Sequence, residues 1–238
     1  MMAITHGQLQ SWSYYSFFMI IKGRPLNSFF LKLATSLITF FLRRKFNKLI
    51  IKDVEIKPDH SYLLMCNHFS FLDGFLAFYL CRKVFFQDNK MKRLHIMSLR
   101  KQMENNKWLK YCGAFSIDPR KRSMKESFEY AAELLSQPGN LLLFYPQGNL
   151  ESSHIREIHF EDGINQIIPQ IKGKCQLIWS SNLIEYFESV KPSMYFNMLD
   201  CGMAKDYDFQ SIKGRINSHH RQAIEQHFRF TKEHLPSA

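Results

Sequence analysis

The chain has 238 residues, 45% hydrophobic and 22% charged, a balance that argues against wholesale disorder and admits one large α/β domain with helical additions. A formal net charge of +11 points to phosphate-bearing partners or an anionic membrane, and 22 Phe residues exceed what a core of this size ordinarily needs and suggest contact with lipid. Five cysteines, none at CxxC spacing, argue against a zinc site or a disulfide framework and fit reduced thiols.

The N-terminus is polar and lacks the basic start and apolar core of a secretory signal. Residues 12–21 then form an aromatic-apolar run, which Lys22-Gly23-Arg24-Pro25 breaks. Residues 28–42 have helical spacing. Lys32, Thr35, Ser36 and Thr39 make one polar stripe, and Phe29, Phe30, Leu33, Leu37, Phe40 and Phe41 cover most of the remaining surface. Arg43-Arg44-Lys45 ends the run with cations, which suit a helix C-terminus and an anionic leaflet. Its length of about fifteen residues falls short of the ~20 that a spanning helix needs. The two runs are therefore expected to form an amphipathic helical hairpin lying in one leaflet. That divides the chain into a membrane-associating segment, residues 1–48, and a main α/β domain, residues 49–238.

From residue 49 the pattern alternates. Strands are expected over 49–56, 62–66, 94–99, 114–117, 140–145, 177–179 and 194–199. Asp73 can cap a helix running to Tyr79, residues 100–111 read as a basic helix, and Ser123-Met124-Lys125-Glu126 has the form of a capping box for a helix to about Ser136. A closing helix is expected over 212–230. This alternation predicts a largely parallel sheet flanked by helices. Lys and Arg dominate between Arg82 and Lys125, against only Asp88, Glu104 and Asp118. No recognition motif accompanies that charge, so nucleic acid is not the expected partner.

The chemistry centres on Asn67-His68-Phe69-Ser70-Phe71-Leu72-Asp73. A histidine at the end of a strand, just before a helix, occupies an active-site location of α/β proteins. Its unperturbed pKa suits proton transfer near neutrality. A spacing of five across a strand-to-helix turn lets Asp73 fold back, hold one ring nitrogen and leave the other basic. Such a pair can deprotonate a substrate hydroxyl directly, with no covalent intermediate. His154 and His159 have no further ligand at a recognisable spacing, so no metal is expected there. His219-His220 is expected on a solvated helix face.

Two later segments, Gly113-Ala114-Phe115-Ser116-Ile117-Asp118-Pro119-Arg120 and Phe144-Tyr145-Pro146-Gln147-Gly148-Asn149, follow the His–Asp block in order. Together the three blocks resemble the motifs of the glycerolipid acyltransferases, whose best-known members are the lysophosphatidic acid acyltransferases. The resemblance covers roughly residues 48–200. It implies an α/β sheet with a helical N-terminal membrane element, and His68 and Asp73 as the catalytic pair. It further implies substrate binding by Asn67, by Gly113, Ser116 and Arg120, and by Tyr145, Pro146, Gln147 and Gly148. The family pattern departs in three places. Pro119 stands where an Arg is expected, with Arg120 one place later; Gln147 replaces a Glu; and the segment at Leu150 lacks a phosphate-binding Arg. The resemblance implies acyl transfer to a lipid acceptor from acyl-CoA or acyl-carrier protein, without a cofactor, by a peripheral or monotopic protein on the cytoplasmic membrane face. Backbone N–H groups of the His68 loop or the Gly148 turn would serve the oxyanion. The alternative is a non-catalytic lipid-binding protein on the same scaffold.

Overall fold

A computed structural model describes residues 20–87, 90–119 and 123–227. Most of the first aromatic run and Arg120 lie outside the described residues. Among the described residues, seven strands form one sheet: β1 (Leu49–Lys52), β2 (Ser61–Cys66), β3 (Arg93–Leu99), β4 (Ala114–Ile117), β5 (Asn140–Phe144), β6 (Cys175–Glu185) and β7 (Ser193–Met203). Their order is β1-β7-β6-β2-β5-β3-β4. The five strands from β6 to β4 are parallel. The β6–β7 hairpin turns the chain round, so β7 and its parallel neighbour β1 run the other way.

The helices are α1 (Ser28–Lys45), α2 (Asp73–Leu80), α3 (Arg100–Asn105), α4 (Ser123–Leu135), α5 (Gly163–Ile167) and α6 (Phe209–Glu225). Strand alternation sorts them into two layers. Tyr62, Leu64 and Cys66 of β2 face one apolar cluster with α1 and α2, whereas Leu63 and Met65 face another with α4, α5 and α6. Covered on both sides, β2 and β5 are buried at every position.

The N-terminal helix is turned otherwise than its polar stripe suggests. Thr35 and Thr39 point inward, 0% and 7% exposed, on the same stripe as buried Leu31 and Leu42. The Thr35 hydroxyl donates to the Lys32 carbonyl at 3.0 Å, which satisfies it without water. The apolar face is left outward, with Phe29 at 71% and Leu37 at 63% exposure. No helix among the described residues is long and apolar enough to cross a membrane.

Several boundaries shift for local reasons. β1 stops at Lys52 because the next residues are held by a side chain instead of a ladder: the Gln176 amide donates to the Glu55 carbonyl and accepts from the Lys57 N–H. The basic helix breaks at Asn106, whose side chain turns back to the Gln102 carbonyl, and resumes as a 3-10 turn over Lys107–Cys112. β6 and β7 each extend to 11 residues because each has its neighbour along most of its length. α6 begins at Phe209, capped by the Asp208 carboxylate accepting from the Ser211 N–H at 2.7 Å.

Candidate active site

β2 ends between β5 and β6, so the residues after Cys66 emerge at the carboxyl edge of the parallel strands. Asn67 anchors that exit. Its side chain accepts from the Asn182 N–H at 2.7 Å and donates to the Asn182 carbonyl at 2.9 Å, tying β2 to β6. Both ends of the amide are used inside the protein and Asn67 is buried. Its geometry is that of a positioning residue.

His68 follows. Its Nδ1 lies 2.8 Å from Asp73 Oδ2. A carboxylate accepts, so Nδ1 carries the proton and Nε2 is the basic nitrogen. The same Oδ2 accepts from the Phe69 and Ser70 N–H groups at 2.8 and 2.9 Å. Asp73 therefore does not cap α2 with its side chain, as its position suggests; the carboxylate is turned back into the loop, and no side chain caps the helix. Asp73 is wholly buried, while the His68 side chain is 26% exposed, so a substrate can reach the ring.

The third block closes over this loop. Gln147 Oε1 accepts the His68 N–H at 2.7 Å, and the Glu151 N–H donates to the His68 carbonyl at 2.8 Å. Tyr145 stacks on the imidazole, ring centroids 4.3 Å apart and planes 23° apart. Burial pushes the Tyr145 hydroxyl well above its ordinary pKa, with the negative charge of Asp73 adding to the effect. Pro146 accepts the Glu161 N–H at 2.8 Å, and Gly148 turns the chain at φ 70°, where any side chain is strained. A Cβ on Gly148 would also come within 3.0 Å of the Glu161 side chain.

The second block lies elsewhere. β4 is the sheet edge, three strands from β2, or roughly 14 Å at the usual spacing. Gly113 sits at its amino end, opposite to the His68 end, and its φ of 81° and a Cβ position 2.1 Å from the Leu94 carbonyl oxygen require glycine. Ser116 is buried and holds the chain before α1: its Oγ accepts from the Ile21 N–H at 2.8 Å and its own N–H donates to the Ile21 carbonyl at 2.9 Å. The structure thus brings Asn67, His68, Asp73, Tyr145, Gln147 and Gly148 together and leaves Gly113 and Ser116 apart from them.

The His68, Phe69, Ser70 and Gly148 N–H groups all donate within the protein, so these four do not stand open for an oxyanion. One expectation is corrected. His220 is not solvated; it is buried, with Nε2 3.0 Å from the Ile155 carbonyl and Nδ1 3.0 Å from Ser181 Oγ. His154 and His159 are exposed. Sequence reasoning missed Asn182, which secures Asn67. The polar run Ser180-Ser181-Asn182 inside an otherwise buried strand was the available signal, since buried polar groups need partners.

A strand-end histidine held by a buried carboxylate, on a mostly parallel sheet, is an arrangement with the chemistry to carry a proton. A family model described as Acyltransferase matches residues 48–178, more than half of the chain. The chain belongs to the acyltransferase family. No curated protein matches it at a significant level. Among solved structures, the 1-acyl-sn-glycerophosphate (LPA) acyltransferase PlsC from Thermotoga maritima is similar, with a TM-score of 0.56 and 13% identity over 85% of this chain and 81% of that one. At that identity the likeness is one of fold.

Proposed function

We propose that the protein is an O-acyltransferase that moves a fatty acyl group from an acyl thioester, acyl-CoA or acyl-carrier protein, to a hydroxyl of a lipid-like acceptor. The observation that carries this reading is the 2.8 Å contact of His68 Nδ1 with buried Asp73, which leaves Nε2 free at a reachable ring. Nε2 removes the acceptor's hydroxyl proton as its oxygen attacks the thioester carbonyl. The tetrahedral intermediate collapses, the C–S bond breaks, and the imidazolium returns the proton to the departing thiolate. Asp73 keeps the ring in the required tautomer and stabilises the imidazolium. Nothing in this scheme calls for a metal or a covalent enzyme intermediate.

The outward apolar face of α1, with Arg43, Arg44 and Lys45 at its end, supports a seat on an anionic leaflet. Arg44 and Lys45 lie over the Phe40 and Phe41 rings at 4.6 and 5.7 Å, a pairing of cation and aromatic that suits the headgroup level. In this reading residues 1–48 are the membrane-associating segment, residues 49–238 the catalytic domain, and the protein is monotopic or peripheral on the cytoplasmic face.

The test is thiol release from palmitoyl-CoA and from a palmitoyl-carrier protein with a panel of lyso-lipids. His68→Ala should lose about 10²–10⁴-fold in kcat, the usual worth of a general base. Full activity of that variant, or thioester consumption with no acceptor in the panel and none in extracted lipid, would defeat the reading.

A further inference from the structure

The turn between β6 and β7 carries Val190 and Tyr186 outward, 97% and 56% exposed, while Phe187, 38% exposed, lies against the His227 ring with centroids 6.1 Å apart. The turn is built, not loose: the Ser189 N–H donates to the Tyr186 carbonyl at 3.0 Å, and the Lys191 N–H to Ser189 Oγ at 3.3 Å. Phe187 is held at φ 46°, a left-handed conformation that a residue without a short polar side chain rarely adopts.

Its place in the sheet gives it neighbours of one kind. β6 is parallel to β2 and beside it and continues five residues past Ser180, the partner of Cys66, so the turn projects beyond the sheet at the end that carries His68. The His68 loop there also exposes Phe71 and Leu72, at 82% and 45%, and the first turn of α2 exposes Phe75 at 42%. On the other side, the Asn47 N–H donates to the Pro192 carbonyl and the Met194 N–H to the Lys48 carbonyl, both at 2.8 Å. These bonds fasten the turn to the end of α1, directly after Arg43-Arg44-Lys45. Aromatic and branched apolar tips beside cations are the chemistry of an element that enters the headgroup region of an anionic bilayer.

We infer that the β6–β7 turn is a second lipid-inserting element, which together with α1 seats the His68 edge against the bilayer. The inference rests on the proposed membrane contact of α1 but concerns a separate part of the chain. Two points of contact fix orientation where one helix leaves rotation free. The His68 loop, on the other side of β6 from the end of α1, is then presented to an acceptor that stays in the leaflet.

The test is flotation of the full chain with vesicles of phosphatidylcholine containing phosphatidylglycerol. Three proteins are compared: the parent, Val190→Asp, and Leu33→Asp combined with Leu37→Asp. Placing a charge on an inserted tip should weaken Val190→Asp binding by about tenfold or more. Its melting temperature should match the parent, because Val190 touches little of the protein. If Val190→Asp floats like the parent while the α1 variant does not, the turn is not an insertion element and only the α1 contact stands. If the parent itself does not float, the membrane reading of α1 fails and this inference with it. If Val190→Asp instead turns a lipid-free dimer into a monomer by light scattering, the turn docks a second copy of the chain and the inference is overturned.

Discussion

The second and third sequence blocks are equally prominent in the chain, yet they do different things in the fold. The third, Tyr145 to Gly148, follows β5, the direct neighbour of β2, and closes on His68 by a hydrogen bond and a stacked ring. The second begins at the far edge of the sheet, where Gly113 makes a turn and Ser116 holds Ile21. Strand order, not order in the chain, decides which block meets His68. The difference also separates two kinds of importance: removing a part of the first region should damage turnover, whereas removing a part of the second should damage the fold.

Four measurements press on that contrast. The largest effect belongs to Asp73→Asn, which keeps the shape but cannot hold the His68 N–H in the same tautomer. A loss of about 10³–10⁴-fold in kcat is expected in thioester turnover, on the scale known for a base deprived of its carboxylate. A fall under tenfold would detach Asp73 from the chemistry. Gln147→Ala comes next. It leaves the half-buried His68 N–H without its acceptor, which costs about 1–3 kcal/mol and should loosen the loop that holds the ring. Turnover should fall by about ten- to a hundredfold if most of that penalty is felt in the transition state. An unchanged kcat with a lowered melting temperature would instead place Gln147 with the scaffold.

The third concerns pH and both halves of the molecule. Burial lowers the pKa of His95, on β3, from 6.5 to about 4, and lowers that of His220 on α6. In each case the unfolded chain binds the proton more readily than the folded one. Stability from these residues is present above pH 6.5 and lost as pH falls below it, for His95 down to about pH 4 and accounting for about 3 kcal/mol at most. The melting temperature should therefore drop across that window, and His95→Gln should flatten the drop. The smallest effect is that of Ser116→Ala. It removes the acceptor of the Ile21 N–H and should cost about 1 kcal/mol, or roughly 2–4 °C in melting temperature. Its kcat should fall less than that of Gln147→Ala; an equal fall would return the second block to the site.

The His68–Asp73 pair was legible because its geometry is local. Five residues across one turn leave few ways for a carboxylate to meet the ring. Most element positions were legible for the same reason, since period and capping act within a few residues. The pairings of Asn67 with Asn182, Gln147 with His68 and Ser181 with His220 span 115, 79 and 39 residues, and no local pattern announces them. The inward turn of Thr35 and Thr39 was hidden differently. Composition identified two unlike faces on α1, but which of them meets the sheet depends on the neighbour that the helix finds.

By itself, then, the sequence determined a histidine with its carboxylate partner, an alternating α/β domain and a helix of unequal faces, all set by short-range sterics, hydrogen bonding and periodicity. Only the tertiary structure decided which strand lies beside β2. That choice buries central strands on both faces, carries the third block onto His68 and leaves the second at the edge. It also turned the phenylalanines of α1 outward, because the short side chains of Thr35 and Thr39, between Leu31 and Leu42, pack inward with one hydroxyl returned to the backbone.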